Sequence, residues 1–404
     1  MRRKILYIFI IFIFIFSTNS LALYTTVPVW SEDYDTTEVN ADTTAENFLN
    51  IESESAILIE QSTGKILYEK DSHKQLRPAS VTKIMTILLI MEALDRGEIT
   101  LDTQIPCSQN AASMGGSQIW LNETESLTVD EMLKAICVVS ANDCTVAMAE
   151  YLSGSEELFV QKMNDRAKEL GMNDTTFKNC HGIDEDGHLT TSYDIALMSK
   201  ELLQNHPEIT RYTTIWMDSL RDGKSELVNT NKLIRTYEGA TGLKTGSTSL
   251  ALYNLSASAT KNNLSLIAVV LRAPTPKVRF SEAKLLLDYG FNTYDFKKIA
   301  TKGEIFQNIE VKKGTESNIN LVFENDGGVL IKKSEENKIN QELNINENIE
   351  APIRAGDVLG NINYYLDNEL VFSANLVAEK DISKKNILNM FNFTVQNWFS
   401  ILRK

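Results

Sequence analysis

Apolar residues fall along the 404-residue chain in blocks of different period. Ala56-Ile57-Leu58-Ile59-Glu60 and Lys65-Ile66-Leu67-Tyr68, parted by Gln-Ser-Thr-Gly, predict a β-hairpin. Residues 80–96 carry apolar side chains around most of a helical surface, which predicts a buried helix. Helical periodicity also runs over 128–152, 156–170 and 193–204. Leu250–Ala259 and Leu264–Arg272 read as two strands joined by Lys261-Asn262-Asn263, and Ser281–Tyr289 as a short helix. Between about 300 and 380 the pattern shortens to alternating runs such as Asn308-Ile309-Glu310-Val311, which predicts a separate small β domain. No internal repeat is present.

The two ends depart from this pattern. Arg2, Arg3 and Lys4 precede an apolar run of 12 residues, Ile5 to Phe16, and the small-x-small site Ser20-Leu21-Ala22 follows. That order predicts a cleaved secretory signal peptide over 1–22, since a membrane-spanning helix needs roughly 20 apolar residues. Residues 23–54 hold eight acidic residues and no Lys or Arg, which predicts a disordered spacer. At the other end, Ile387, Leu388, Met390, Phe391, Val395, Trp398, Phe399, Ile401 and Leu402 fall largely on one helical face. Lys384, Lys385, Arg403 and Lys404 are the only charged residues from 382 onward. The segment 381–404 is therefore expected to be an amphipathic helix drawn to an anionic membrane surface, the alternative being a helix docked on the β domain. The expected domains are 55–298 and 299–380, on the outer face of the cytoplasmic membrane.

The net charge of −14 excludes nucleic acid as a partner, because phosphates would be repelled. Cys107, Cys137, Cys144 and Cys180 form no C-x-x-C, so zinc-ribbon and thioredoxin chemistry have no support. Cys137 and Cys144, seven apart on what reads as one helix, would be about 10 Å apart, too far for a bridge. Buried free thiols are expected.

The chemistry lies in three short motifs in order: Ser80-Val81-Thr82-Lys83, Ser140-Ala141-Asn142 and Lys244-Thr245-Gly246. S-x-x-K, S-x-N and K-T-G together form the active-site set of penicillin-binding proteins and β-lactamases. S-x-x-K alone is weak, for it also occurs at Ser62, Ser258 and Ser281. Ser62 falls in the hairpin turn, Ser258 in a strand whose i and i+3 residues face opposite ways, and no K-T-G follows Ser281. Ser80 opens the buried helix, where i and i+3 share a face, so Lys83 Nζ can reach Ser80 Oγ. K-T-G occurs once.

With Arg77-Pro78-Ala79-Ser80-Val81-Thr82-Lys83, Val139-Ser140-Ala141-Asn142-Asp143, His181-Gly182-Ile183-Asp184 and Thr241-Gly242-Leu243-Lys244-Thr245-Gly246, the sequence resembles the low-molecular-mass penicillin-binding proteins over roughly 55–380. These are the serine D-alanyl-D-alanine carboxypeptidases of peptidase family S11. The resemblance implies an α+β domain, an antiparallel sheet flanked by helices with a helical subdomain, followed by a small all-β domain. It implies a peptidoglycan pentapeptide as substrate, β-lactams as inhibitors, and no metal or cofactor.

Ser80 is then the nucleophile and Lys83 its base, neutral through burial and the nearby cation of Lys244. Ser140 relays the proton to the leaving amine, and Asn142 bonds Lys83 and the substrate amide. The N–H groups of Ser80 and Ser247 form the oxyanion hole. Lys244 and Thr245 bind the terminal carboxylate, Gly246 leaves room beside the strand, and Arg279 matches an arginine that family members often use there. A second arginine that some relatives carry shortly before K-T-G is replaced near Thr230. No G-x-S-x-G nucleophile elbow is present, a histidine is a poor candidate for the base, and His181 is expected to support a loop. A β-lactamase, a D,D-endopeptidase and a β-lactam sensor that acylates and stops are the alternatives.

Overall fold

The computed structural model describes residues 48–386. The expected signal peptide and most of the spacer lie outside that range, as does most of the C-terminal amphipathic segment.

A five-stranded antiparallel sheet organises the first domain, with spatial order β2-β1-β9-β8-β7. Its strands are β1 (Ser55–Glu60), β2 (Ile66–Lys70), β7 (Ala240–Thr248), β8 (Leu252–Lys261) and β9 (Leu264–Ala273). All six residues of β1 are buried, because the strand is sandwiched between layers on both faces. Alternation sorts the side chains. Ile57, Ile59, Ile267, Val269 and Leu271 join the larger, helical core. Ala56, Leu58, Leu255, Ala257, Leu266 and Val270 join a second core on the opposite face, closed by Ala283, Leu286 and Leu287 of the helix Pro276–Thr293.

Between β2 and β7 lie the short hairpins β3 (Gln104–Pro106) with β4 (Ser126–Thr128) and β5 (Met217–Leu220) with β6 (Ser225–Val228), plus most of the helices. Helix α1 (Lys83–Asp95) is apolar on most sides and packs within the helical core. The short α2 (Gln109–Ala112) is followed by α3 (Val129–Val138), whose start is fixed by a capping box between Thr128 and Glu131, a motif that contributes about 1 kcal/mol. Helices α4 (Asn142–Ser153), α5 (Glu156–Glu169) and α6 (Ser192–Asn205) complete the subdomain, with the single turns α7 (Thr210–Thr213) and α8 (Leu233–Thr236) before β7. The helix Pro276–Thr293 is α9.

The expected helix over 128–152 is in fact two. Ser140 has φ +66, in the left-handed region, and the hydrogen bonds of a continuous helix are replaced by long-range ones. Val138 O accepts from Thr230 N (3.1 Å), and Asn142 N donates to Ser117 O (2.7 Å). The apolar run Val138-Val139 hides the break from periodicity. The helical spacing assumed between Cys137 and Cys144 therefore does not hold, although all four cysteines are buried and free. Residues 48–54, assigned to the spacer, pack on the domain: Ile51 joins the second core, and the buried Ser53 bonds Glu282 through its backbone and hydroxyl. The acidic composition of the segment outweighed its few apolar residues in the sequence pattern. The expected helix Ser281–Tyr289 is the middle of the longer α9.

The C-terminal region holds β10 (Tyr294–Ala300), β11 (Ile305–Glu310), β12 (Asn318–Phe323), β13 (Gly327–Lys332), β14 (Ile339–Ile345), β15 (Val358–Leu366) and β16 (Glu369–Ala378). Strands β11-β12-β16-β15-β14 form an antiparallel sheet over their own core, and β10 pairs with β13. Tyr294 and Leu330 of that pair also enter the second core of the first domain, so the β region begins a few residues before the expected 299. Ile382, paired with Ile353, extends it past 380.

Candidate active site

Ser80 lies in a 3-10 turn, Ala79–Thr82, that runs directly into α1 at Lys83. Three neighbours shape that turn. The Asn254 side chain donates to Arg77 O and Pro78 O (2.8 and 2.9 Å) and accepts from Arg272 N (2.7 Å). Gly246 of β7 comes so close that a Cβ there would meet Pro78 O at 2.8 Å and Ser80 N at 2.9 Å. Gly182 presses from the other side at φ +92, where a Cβ would overlap the carbonyl of Ala79. Gly182→Ala is therefore expected to lower stability by more than about 2 kcal/mol and to disorder the turn; a thermal melt with a penicillin-labelling assay checks both.

Lys83 is fully buried. Its Nζ lies 3.0 Å from Ser80 Oγ, 2.6 Å from Asn142 Oδ1 and 2.7 Å from His181 O. Two influences oppose each other. Three oxygen neighbours favour an ammonium, whereas burial and, next, the Lys244 cation push the Lys83 pKa well below its ordinary value. The second prevails. The adjacent carboxylate, Asp143, instead accepts from Ile119 N and Leu121 N (3.0 and 3.1 Å). A neutral amine fits all three neighbours: two N–H groups reach Asn142 Oδ1 and His181 O, and the lone pair faces Ser80 O–H. This geometry can take a proton from a serine hydroxyl.

The loop that supplies His181 O is held by Thr86 Oγ1 on Cys180 O (2.6 Å) and by Asn179 Oδ1, which accepts from Gly182 N (2.7 Å). Burial, then Lys83, lowers the His181 pKa to about 3, and its Nδ1 accepts from Ile183 N (3.1 Å). Burial lowers His188 to about 4, and its Nε2 lies 2.9 Å from Thr82 Oγ1. The His188 imidazole therefore braces the turn, whereas the His181 imidazole holds its own loop, with Nε2 3.4 Å from Glu156 Oε1.

Ser140 Oγ is buried with no hydrogen-bond partner among the described residues. Asn142 Nδ2 donates to Gly115 O (2.7 Å), so one of its two N–H groups is already engaged. On β7, Lys244 is buried and donates to Thr245 O (2.9 Å). Burial lowers its pKa to about 7, with a smaller contribution from Arg279. Thr245 Oγ1 donates to Thr230 Oγ1 (2.7 Å). Arg279 is buried against Phe280 and Tyr253, and burial brings its pKa down to about 10. Its Nη1 donates to Gly246 O and Asn254 O, both at 3.2 Å, while Nε has no partner among the described residues. Ser247 follows, exposed, on the same edge strand.

The structure thus joins Ser80, Lys83 and Asn142 by direct hydrogen bonds and sets Arg279 on the K-T-G strand. Sequence reasoning missed Asn254 and assigned no role to Asp143 and Gly182, although both stand in the motif stretches that carry the resemblance. The signal for the first was an asparagine inside a strand whose inner residues, Leu255 to Ala259, are Leu, Ala and Ser. Among the described residues no group of three or more His, Cys, Asp or Glu side chains could hold a metal.

A serine hydroxyl facing a buried lysine amine, with an S-x-N turn above and a K-T-G edge strand beside it, defines a serine acyl-transfer site without histidine. The D-alanyl-D-alanine carboxypeptidase model of peptidase S11 matches residues 40–275, and the model for the penicillin-binding protein 5 C-terminal domain matches 294–384. D-alanyl-D-alanine carboxypeptidase DacF of Bacillus subtilis is 46% identical over 351 residues, covering 86% of this chain and 90% of that one. The structure of penicillin-binding protein 5 from Haemophilus influenzae aligns with TM-score 0.70 at 30% identity, over 83% of this chain and 98% of that one. Penicillin-binding protein D2 from Listeria monocytogenes, in its ampicillin-bound form, aligns with TM-score 0.55 at 30% identity, over 59% and 97%. The chain belongs to the peptidase S11 family of serine-type D-alanyl-D-alanine carboxypeptidases.

Proposed function

We propose that this chain removes the terminal D-alanine from peptidoglycan stem peptides through an acyl-enzyme on Ser80. One observation carries the reading: Lys83 Nζ lies 3.0 Å from Ser80 Oγ in a site that excludes water from the amine. Ser80 Oγ attacks the penultimate D-alanine carbonyl as its proton passes to the Lys83 lone pair. The N–H groups of Ser80 and Ser247 receive the oxyanion. Ser140 Oγ, otherwise unpartnered among the described residues, carries the proton on to the departing amine, and the C–N bond breaks. Water then attacks the ester, with Lys83 again taking the proton. Lys244 and Thr245 hold the terminal carboxylate, with Arg279 behind Gly246 adding positive charge. A β-lactam offers the same carbonyl but leaves a slowly cleared acyl-enzyme.

No carboxylate among the described residues hydrogen-bonds Ser80 or Lys83, which favours this reading over a class A β-lactamase with its deacylating glutamate. Measuring D-alanine release from a D-Ala-D-Ala peptide beside penicillin acylation tests the reading. Steady release supports it, and acylation without release makes the protein a sensor.

The lysines set a pH dependence. Lys83 must be neutral, so kcat/KM rises with pH through its depressed pKa. Lys244 must be charged to bind the carboxylate, so kcat/KM falls as pH rises through about 7. A bound carboxylate favours the ammonium, so the basic limb of kcat is expected at higher pH than that of kcat/KM. Coincident limbs would contradict the role of Lys244.

Residues 1–22 act as an export signal and 381–404 as an anchor on the outer face of the cytoplasmic membrane. The anchor's apolar face and its four cations, each contributing about 1 kcal/mol near an anionic surface, support this. Deleting 384–404 is expected to abolish vesicle co-sedimentation and leave hydrolysis intact. Unchanged sedimentation with a lowered melting temperature would instead indicate a docked helix.

A further inference from the structure

A second cavity, of about 580 Å³, opens beside the S-x-N turn between the loop that follows α2 and the β5–β6 hairpin. Val139, next to Ser140, forms part of its wall, and Gln118 follows Ser117, whose carbonyl accepts from Asn142 N. Its volume falls in the range of about 300–1,000 Å³ usual for small-molecule sites.

Trp120 lines this cavity and is 74% exposed, the most exposed of the large apolar side chains among the described residues. Its neighbours hold it there. Ile119 and Leu121 on either side are buried, and both donate their N–H groups to the buried Asp143. Arg221 holds the loop to the hairpin, donating to Ile119 O (2.8 Å), to Ser225 Oγ (2.8 Å) and, through two nitrogens, to Glu125. Trp120 and Arg221 both have φ +55, a conformation that costs a bulky residue energy and persists only where the surroundings impose it. An indole presented this way gains nothing for the fold, whereas it offers a flat apolar face to a ligand. Around it stand Gln118, Asn122, Lys224 and Glu226, donors and acceptors on short and long arms. Lys224 and Glu226 form no ion pair among the described residues.

We propose that this cavity is a saccharide subsite, which takes an N-acetylated sugar of the glycan to which the stem peptide is attached. A pyranose ring has an apolar face to lay on the indole, and its hydroxyl and acetamido groups need the mixed donors and acceptors found here. This rests on the carboxypeptidase reading of the neighbouring cleft and adds the substrate class: glycan-linked peptide in preference to free peptide.

The test has two arms. In the first, Ser80→Ala protein is titrated calorimetrically with the trimer of N-acetylglucosamine. Saturable binding is expected, abolished by adding Trp120→Ala and largely kept with Trp120→Phe. This arm needs no turnover, so it is independent of whether Ser80 acylates. In the second, wild type is expected to hydrolyse a disaccharide-linked pentapeptide with kcat/KM on the order of tenfold above the free pentapeptide. Trp120→Ala should erase that advantage through KM, with kcat unchanged and the free peptide unaffected. Absence of trimer binding, equal rates on the two substrates, or an equal loss on both in Trp120→Ala would each overturn the subsite. Loss of all hydrolysis with trimer binding retained would overturn the carboxypeptidase reading and uphold the subsite.

Discussion

Replacing Ser80 by alanine is expected to reduce D-alanine release by about 10⁴-fold or more and to abolish covalent labelling by penicillin, with the fold retained. The hydroxyl is the only group of the turn facing the Lys83 amine; the other two neighbours of Nζ are an amide and a peptide carbonyl, neither of which is a nucleophile. Alanine fits the turn without strain, since Ser80 is itself only partly buried and its side chain supports no other element. The cost to stability is one hydrogen bond to the amine, about 1 kcal/mol. A melting curve and a gel of fluorescent-penicillin adducts separate loss of chemistry from loss of structure.

Lys83→Arg is expected to lower the acylation rate by about 10³-fold or more. Arginine stays protonated and offers no lone pair to the Ser80 proton. It also brings a larger, permanently charged group into a fully buried position 2.6 Å from Asn142, so the melting temperature should fall. Lys83→Ala avoids that complication. It should acylate as slowly, and added methylamine should restore part of the rate in proportion to its neutral fraction, so that rescue climbs with pH. A folded Lys83→Arg protein that acylates like wild type, or a Lys83→Ala protein indifferent to methylamine, would remove the neutral-amine mechanism.

The grouping of Ser80, Lys83 and Asn142 was legible in the sequence because these residues lie in motifs whose local pattern is strong. Of the four S-x-x-K matches, context alone picked Ser80. The structure accounts for the other three. Ser62 caps Glu60 in the β1–β2 turn, Ser258 accepts from Thr241 inside the sheet, and Ser281 bonds back to Val278 O on α9. The K-T-G edge strand and the separate β region were legible for the same reason.

What escaped depends on partners far away in the chain. Nothing between 128 and 152 announces that Val138 O and Asn142 N will bond to Thr230 and Ser117, and without those bonds the helix would run on through Ser140. The break presents Ser140 and Asn142 to the cleft, so the most consequential local irregularity was the least readable. Asn254 and Gly182 are similar cases, since each acts on the Ser80 turn from more than a hundred residues away. The spacer boundary failed differently, because an acidic average over 23–54 hid the few apolar residues that pack beside β1.

The proposed mechanism stands on an acyl-enzyme at Ser80. Its most direct test is mass spectrometry of the protein quenched during turnover of a D-Ala-D-Ala peptide, with the adduct located by proteolytic mapping. A mass increase equal to the peptide acyl group is expected, borne by the fragment that contains Ser80 and absent from Ser80→Ala. An adduct on any other residue, or D-alanine release from Ser80→Ala at the wild-type rate, would contradict it.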